Sequence, residues 1–221
     1  MRSPELSPEI MAGLVETLAD WDPRATVDFA HLYMQAGDAE GMSGYDELAL
    51  SNPQAKEMLA DRYLSPDADL KALAELPEGT LGHEYERYLR ENELDPKLLR
   101  ESAFIEAHRK RGDDVGYLAE RGFQLHDMFH VLTGYDTTPL GEVRVVSFTV
   151  AQTPAPYPAF IIATRPLQAA LYKPMLLPVL MDAITDGWAL GRKAKPLMGV
   201  HWEEHWDRPL ADLRREYELE A

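Results

Sequence analysis

The sequence predicts an all-α protein, a single-domain irregular helical bundle, on three observations. A helix-capping residue is followed directly by proline at six places: Ser7-Pro8, Asp22-Pro23, Asn52-Pro53, Ser65-Pro66, Asp95-Pro96 and Thr138-Pro139. The capping side chain accepts from an orphan amide at the helix start, and proline in the first turn gives up no hydrogen bond. Apolar residues recur at three- and four-residue intervals through most of the chain, the period of an α-helix. No stretch shows convincing strand alternation; Val143–Thr149 is the one β-branched run that competes, and it follows a helix start.

Taken in order, Ile10, Met11, Leu14, Val15 and Leu18 make the apolar stripe of a first helix after Ser7-Pro8. Val27, Phe29, Ala30, Leu32, Tyr33 and Met34 fill a second, which Gly37 ends. Short helices are expected over Gln54–Arg62 and Asp67–Ala74, with a turn at Pro77-Glu78-Gly79. Leu81, Tyr85, Tyr88 and Leu89 then repeat at helical intervals, so a helix covers Thr80 to Asn92. The charged stretch Glu106–Asp114 reads as a solvated loop or helix end. One long helix is predicted from Asp113 to Leu132, burying Tyr117, Leu118, Leu125, Met128 and Phe129 and stopped by Thr133-Gly134. Thr138-Pro139 starts the next, whose Val143, Val146, Ser147, Val150 and Ala151 give a small, close-packing face. Thr153–Pro158 breaks the chain. Helices interrupted at Pro174 and Pro178 follow, with a longer one through Trp188 to Lys193. A charged terminal helix, capped by Asp207, closes the chain over Arg208–Leu219.

Composition excludes several functions. The chain has 221 residues and no internal repeat, which fits one domain over 1–221. With no cysteine, disulfides, thiolate metal sites and a cysteine nucleophile are ruled out. The net charge of -16, from 38 acidic and 22 basic residues, repels a phosphate backbone, so no nucleic acid partner is expected. Met1–Ile10 has neither signal nor transit character. The longest uncharged tract, Val145–Thr164, carries three prolines and is no ordinary transmembrane helix. The expectation is a cytoplasmic protein, peripheral at most on the inner face of a membrane.

The chemistry concentrates in His126-Asp127-Met128-Phe129-His130, followed after eleven residues by Glu142. Histidines four apart on a helix point the same way. The Gly134 turn and the Pro139 start then let the next helix return Glu142 towards them. Imidazole with carboxylate suits a divalent cation, zinc by default, with iron, manganese, cobalt or magnesium as alternatives. Asp127 lies about 100° around the helix from His126. It coordinates the metal if its short side chain bends inward; otherwise it orients an imidazole or serves catalytically as a base on metal-bound water. The pattern differs from the zinc-protease H-E-x-x-H by one methylene in the base. A metal phosphohydrolase of the His-Asp type would need further ligands, for which His83, His108 and Asp182 are loose candidates.

The run from His126 to Glu142, with Thr133-Gly134 and Gly141-Glu142 inside it, resembles the signature of the fourth coenzyme Q biosynthesis protein family. The resemblance extends to Leu81-Gly82-His83-Glu84-Tyr85 and to the stretch from Lys195 to Asp207, so it covers Thr80 to the end and is weakest over 1–75. It implies an all-helical fold, a divalent metal held at His126, Asp127, His130 and Glu142, and a place in ubiquinone biosynthesis beside other proteins of that pathway. It further implies a polyprenylated hydroxybenzoate-type substrate. Two roles follow from the resemblance: removal of the ring carboxyl with hydroxylation at the same carbon, or a prenyl-lipid-binding scaffold for a biosynthetic complex.

A polyprenyl substrate needs an apolar channel and access to a membrane. Ala159–Met181 has the composition for it. Arg165, Lys173, Arg192, Lys193 and Lys195, against Asp182 and Asp186, leave a local positive excess suited to anionic headgroups. Trp202 and Trp206, at four-residue spacing with His201 and His205 beside them, are expected as core or homodimer contacts.

Overall fold

The computed structural model describes residues 7–20, 29, 32–33, 39–97 and 103–220. Twelve α-helices lie among them: α1 Pro8–Ala19, α2 Ala39–Ser51, α3 Pro53–Asp61, α4 Leu70–Ala74, α5 Leu81–Glu91, α6 Ala103–Arg111, α7 Asp114–Gln124, α8 His126–Thr133, α9 Pro139–Gln152, α10 Pro156–Tyr172, α11 Leu177–Lys193 and α12 Leu210–Glu216. Short 3-10 turns occur at Pro174–Leu176 and Trp202–Glu204. No strand forms among the described residues; a lone bridge joins Thr80 and Pro209. The fold is all-α.

Four of the six cap-proline pairs start helices as written, among them Asp95-Pro96, where Asp95 Oδ1 accepts from the Lys97 amide at 2.9 Å. Ser7 Oγ accepts from the Ile10 amide at 3.2 Å, Asn52 Oδ1 from Gln54 at 3.0 Å and Thr138 Oγ1 from Gly141 at 3.2 Å. Asp22-Pro23 and most of the helix predicted over Val27–Met34 lie outside the described residues. Ser65 is drawn elsewhere: its amide and hydroxyl both donate to Gln124 Oε1, at 3.0 and 2.9 Å. α4 is capped instead by Asp69, which accepts from Lys71 and Ala72.

The long helix predicted over Asp113–Leu132 is divided at Leu125 into α7 and α8. Gln124 reaches outward to hold the segment at Ser65, while Leu125 turns into the core with no exposed surface. The charged stretch read as loop or helix end is α6, with Ile105 and His108 on its buried face and Glu106 pairing with Arg109 and Lys110 on the other. α2 had no clear signal, because Gly41 and Gly44 weaken its helix propensity. At the C-terminus Asp207 caps nothing and the helix shortens to α12. Residues 206–208 serve the start of α5: Trp206 and Arg208 carbonyls accept from the Gly82 and Leu81 amides, each at 2.9 Å. Those are orphan donors that Thr80 leaves unmet.

The tightest helix pair is α9 against α11. A Cβ on Gly187 would stand 2.1 Å from the Arg144 carbonyl, and one on Gly191 2.7 Å from that of Phe148. Backbones approach this closely only where side chains vanish. Ser147 Oγ donates to Ile184 O and Gln152 Nε2 to Gly191 O, both at 2.7 Å. The main core joins Leu81, Leu89, Leu125, Phe129, Leu132, Phe148, Leu197, Trp202 and Leu213. Trp202 is fully buried against Tyr217, and Trp206 packs on Tyr85, so both tryptophans are core contacts. The result holds α8 and the start of α9 rigidly side by side.

Candidate metal centre

Gly134, in the left-handed conformation at φ 78°, ends α8, and its amide returns to the His130 carbonyl at 2.8 Å. The chain then turns through Asp136–Thr138 into α9. Glu142, in the first turn of α9, comes back to the two histidines. His126 Nε2 stands 3.4 Å from Glu142 Oε2 and His130 Nε2 3.4 Å from Oε1. One ligand atom from each of the three residues lies within 4.8 Å of the others.

His130 is fully buried. Its Nδ1 lies 3.0 Å from the Tyr135 carbonyl, which accepts and so leaves Nε2 as the lone-pair nitrogen facing Glu142. That Nε2 is buried with no hydrogen bond, an expensive state for a polar atom. A cation would satisfy it. Tetrahedral ligands at ~2.1 Å from zinc stand about 3.4 Å apart, matching both measured separations. The donor set of two imidazoles and one carboxylate leaves further coordination positions open, the pattern of catalytic rather than structural sites. The residues present fit a divalent cation.

Electrostatics agree with a site built for positive charge. Burial would raise the Glu142 carboxyl, but the His126 and His130 imidazoles outweigh it and hold Glu142 down to about 2. Burial likewise opposes charge on His126, and Glu142 and Asp127 overcome it, raising that imidazole above its ordinary value.

Asp127 lies outside this convergence. It lines a small cavity of about 10 Å³ with Tyr85, Gln124 and the Arg109–Glu120 ion pair, whose N···O separation is 2.7 Å. His126, by contrast, opens onto a larger cleft of about 100 Å³. Its walls come from α2, α6, α7, α9, the Thr153–Ala155 link and the first turn of α10, including Leu118, Phe123, Val146, Pro154 and Tyr157. Phe123 and Tyr157 stack there at 5.7 Å. Burial, then the charge of Glu142, pushes the Tyr157 phenol up to about 12, so it stays protonated at neutral pH.

Ala159–Met181, expected to supply an apolar channel, does not line this cleft. Leu167, Leu171, Tyr172, Met175, Leu176, Val179 and Met181 face outward, Met175 with 89% of its surface exposed. Of the basic residues nearby, Arg165 is buried, while Lys173, Arg192, Lys193 and Lys195 are exposed. His83 sits beside Glu84 on α5, His108 lines the cleft and Asp182 lies on α11; none joins the triad. His201 pairs with Asp61 at 2.9 Å and stacks on Tyr63. Sequence reasoning passed over Tyr88, whose place on the apolar stripe of α5 marked it as packing. Its ring stacks on His130, with centroids 5.4 Å apart.

A family model for the coenzyme Q (ubiquinone) biosynthesis protein Coq4 matches residues 20–221. The chain belongs to the Coq4 family. A mitochondrial ubiquinone biosynthesis protein COQ4 homolog of Danio rerio is 34% identical over 154 residues, covering 69% of this chain and 54% of that protein. The Rattus norvegicus homolog is 31% identical over 169 residues, covering 75% of this chain and 60% of that one. This Coq4-family chain thus spans about half to two-thirds of the length of the curated relatives it matches. A crystal structure from Nostoc punctiforme, of a protein assigned to ubiquinone biosynthesis, superimposes with a TM-score of 0.74 at 26% identity. That match covers 96% of this chain and 98% of the other. Among the described residues, no helix is long and apolar enough to cross a membrane.

Proposed function

We propose that the chain serves ubiquinone biosynthesis as a metal-dependent protein acting on a polyprenylated hydroxybenzoate-type intermediate, replacing the ring carboxyl at C1 by hydroxyl with loss of carbon dioxide. The observation that carries this reading is the junction of two features at one histidine. His126 belongs to the triad with His130 and Glu142, and it also lines the apolar cleft. The apolar lining of the cleft suits an aromatic head group and the first part of a tail.

His126, His130 and Glu142 would hold the metal, zinc or another divalent ion, which supplies Lewis acidity towards a substrate oxygen. Phe123 and Tyr157 orient the ring, and Leu118, Val146 and Pro154 exclude water around it. Asp127, one residue from His126, would act through that imidazole, its charge favouring the protonated form. The overall change needs dioxygen and a two-electron donor from outside the chain. The test uses purified protein, a two-electron reductant such as ascorbate and a prenylated 4-hydroxybenzoate-type acid, with carbon dioxide release followed in air and under anaerobic conditions. Metal-dependent release that stops without oxygen supports the reading; release unchanged without oxygen counts against it.

A second reading is a non-catalytic prenyl-lipid-binding scaffold that organises partner proteins at an anionic membrane surface, and the outward-facing apolar residues of Leu167–Met181 favour it. No acidic residue stands between Glu142 and Asp182 in a chain of net charge -16. Apolar contact plus Lys173 suits peripheral binding. Vesicle co-sedimentation should show salt-sensitive binding to anionic vesicles, lost in Met175→Asp. Equal recovery with neutral and anionic vesicles would remove this surface from the account.

A further inference from the structure

Three consecutive residues between the two ligand-bearing helices each hold something in place. The Tyr135 carbonyl meets His130 Nδ1 at 3.0 Å. Thr137 Oγ1 donates to Asn92 Oδ1 at 2.7 Å, which ties the turn to the end of α5. Asp136 lies between them with its carboxylate turned into the start of α9. There Oδ1 accepts from the Thr138 amide at 3.1 Å and from the Thr138 hydroxyl.

An ionised carboxylate only accepts. It therefore takes the one proton of the Thr138 hydroxyl and leaves that oxygen's lone pairs to the Gly141 amide, 3.2 Å away. The Thr138 carbonyl accepts from the Glu142 amide at 2.9 Å. Thr138 thus holds both amides that carry Glu142, and Asp136 holds Thr138. The carboxylate also needs room. A Cβ on Gly141 would overlap the Asp136 carbonyl and Oδ1. Gly141 is not in the left-handed region, so space alone requires a glycine there. Asp136 is exposed, and an exposed carboxylate ahead of a helix ordinarily does no more than favour the dipole. A dipole partner needs no fixed seat; this one lies against the first turn of α9, where a glycine makes way for it.

We propose that Asp136 is a positioning residue of the metal centre, setting through Thr138 and Gly141 the angle at which Glu142 meets His126 and His130. It acts on the other side as well. The peptide that joins Tyr135 to Asp136 carries the carbonyl facing His130 Nδ1, so one locked turn fixes a ligand on each helix. Asp136 itself touches neither metal nor substrate. The inference rests on the metal reading of the triad and adds to it the residue that holds its geometry.

The test is spectroscopic and needs no turnover. The whole chain, stripped with chelator, is titrated with Co²⁺, whose visible absorption reports its ligands. Wild type is compared with Asp136→Ala, Asp136→Asn and Gly141→Ala, and urea unfolding of the metal-free proteins runs alongside. Asp136→Ala should bind cobalt about 10-fold more weakly, the loss usual for a residue behind the ligands, and its spectrum at saturation should change. Asp136→Asn keeps an oxygen that accepts from Thr138 and should restore both. Gly141→Ala displaces Asp136 from the opposite side and should resemble Asp136→Ala; if it does not fold, the two Asp136 variants decide. A residue that only steadied the fold would shift the urea midpoint and leave the saturated spectrum alone. Wild-type affinity and spectrum in Asp136→Ala would overturn the proposal, as would an Asp136→Asn protein no better than Asp136→Ala. If wild type binds no cobalt at all, the metal reading has failed and this inference falls with it; cobalt bound alike by all four proteins sinks Asp136 alone.

Discussion

His126 and Asp127 are neighbours in the chain, yet they open on different cavities. His126 converges with His130 on Glu142 and lines the large apolar cleft; Asp127 lines the small cavity beside Arg109 and Glu120. One residue of helix, about 100° of rotation, separates ligand geometry from a polar compartment. The difference teaches that adjacency in a motif does not mean shared chemistry. On α8 the face decides: α9 supplies Glu142 to one side, while α6 and α7 turn Arg109 and Glu120 to the other.

The largest expected effect tests that division directly. His130→Ala removes the buried nitrogen and should lower metal affinity by more than ~100-fold, beyond the usual loss from an outer-shell change. Asp127→Asn should keep bound metal, with affinity within about 10-fold of wild type. Elemental analysis and chelator competition on both variants give the answer. If Asp127→Asn empties the site as thoroughly as His130→Ala, Asp127 turns inward as a ligand and the two-face description fails. Quinone production in cells then separates the two roles: a catalyst loses it with Asp127→Asn, whereas a scaffold retains it.

A smaller effect concerns pH. In metal-free protein Glu142 is held at about 2, below its ordinary 4.5, so its share of stability is present above 4.5 and is lost as pH falls towards 2. His126 is raised above its ordinary 6.5, so its share is complete below 6.5 and is lost as pH rises through its folded value. The two contributions overlap fully between 4.5 and 6.5. The melting temperature of chelator-treated protein should peak in that window, and Glu142→Gln should flatten the peak. Metal reverses the upper flank, because coordination needs neutral imidazoles: loaded protein should gain stability as pH rises past about 6.5. An identical pH profile for wild type and Glu142→Gln would detach the carboxylate from the histidines.

Much of this arrangement was legible in the chain. Spacing of four put His126 and His130 on one face, and Gly134 with Thr138-Pro139 announced the return of Glu142. Asp127 was displaced by the same helical arithmetic. What could not be read depended on distant partners. Ser65-Pro66 looks like a helix cap, but Gln124, 59 residues away, takes its hydroxyl. α6 hid behind its charges, because a charge run does not reveal that Ile105 and His108 lie underneath. The lining of the cleft could not be read since its walls come from separate segments, whereas Ala159–Met181, which advertised a channel, turns Leu167, Leu171, Met175 and Met181 outward. Local pattern reports the face of a helix; it does not report which helix will cover it.

The smallest expected effect belongs to a residue that serves both faces at once. Arg214 of α12 donates from Nε to the Leu132 carbonyl and from its terminal nitrogen to that of Val131, each at 2.9 Å. These are carbonyls of the last turn of α8, which have no helical partner and carry the negative end of the helix dipole. The planar fork meets both carbonyls; a lysine ammonium in its place meets one and lacks the fixed geometry. Arg214→Lys should therefore cost about 1 kcal/mol in urea unfolding. Because it loosens the helix rather than either cavity, it should weaken cobalt affinity a few-fold and shift Asp127 and His126 together. A variant that lowered metal affinity strongly with unfolding unchanged would mean that the C-terminal helix acts on the triad alone, and α8 would then not behave as one rigid unit.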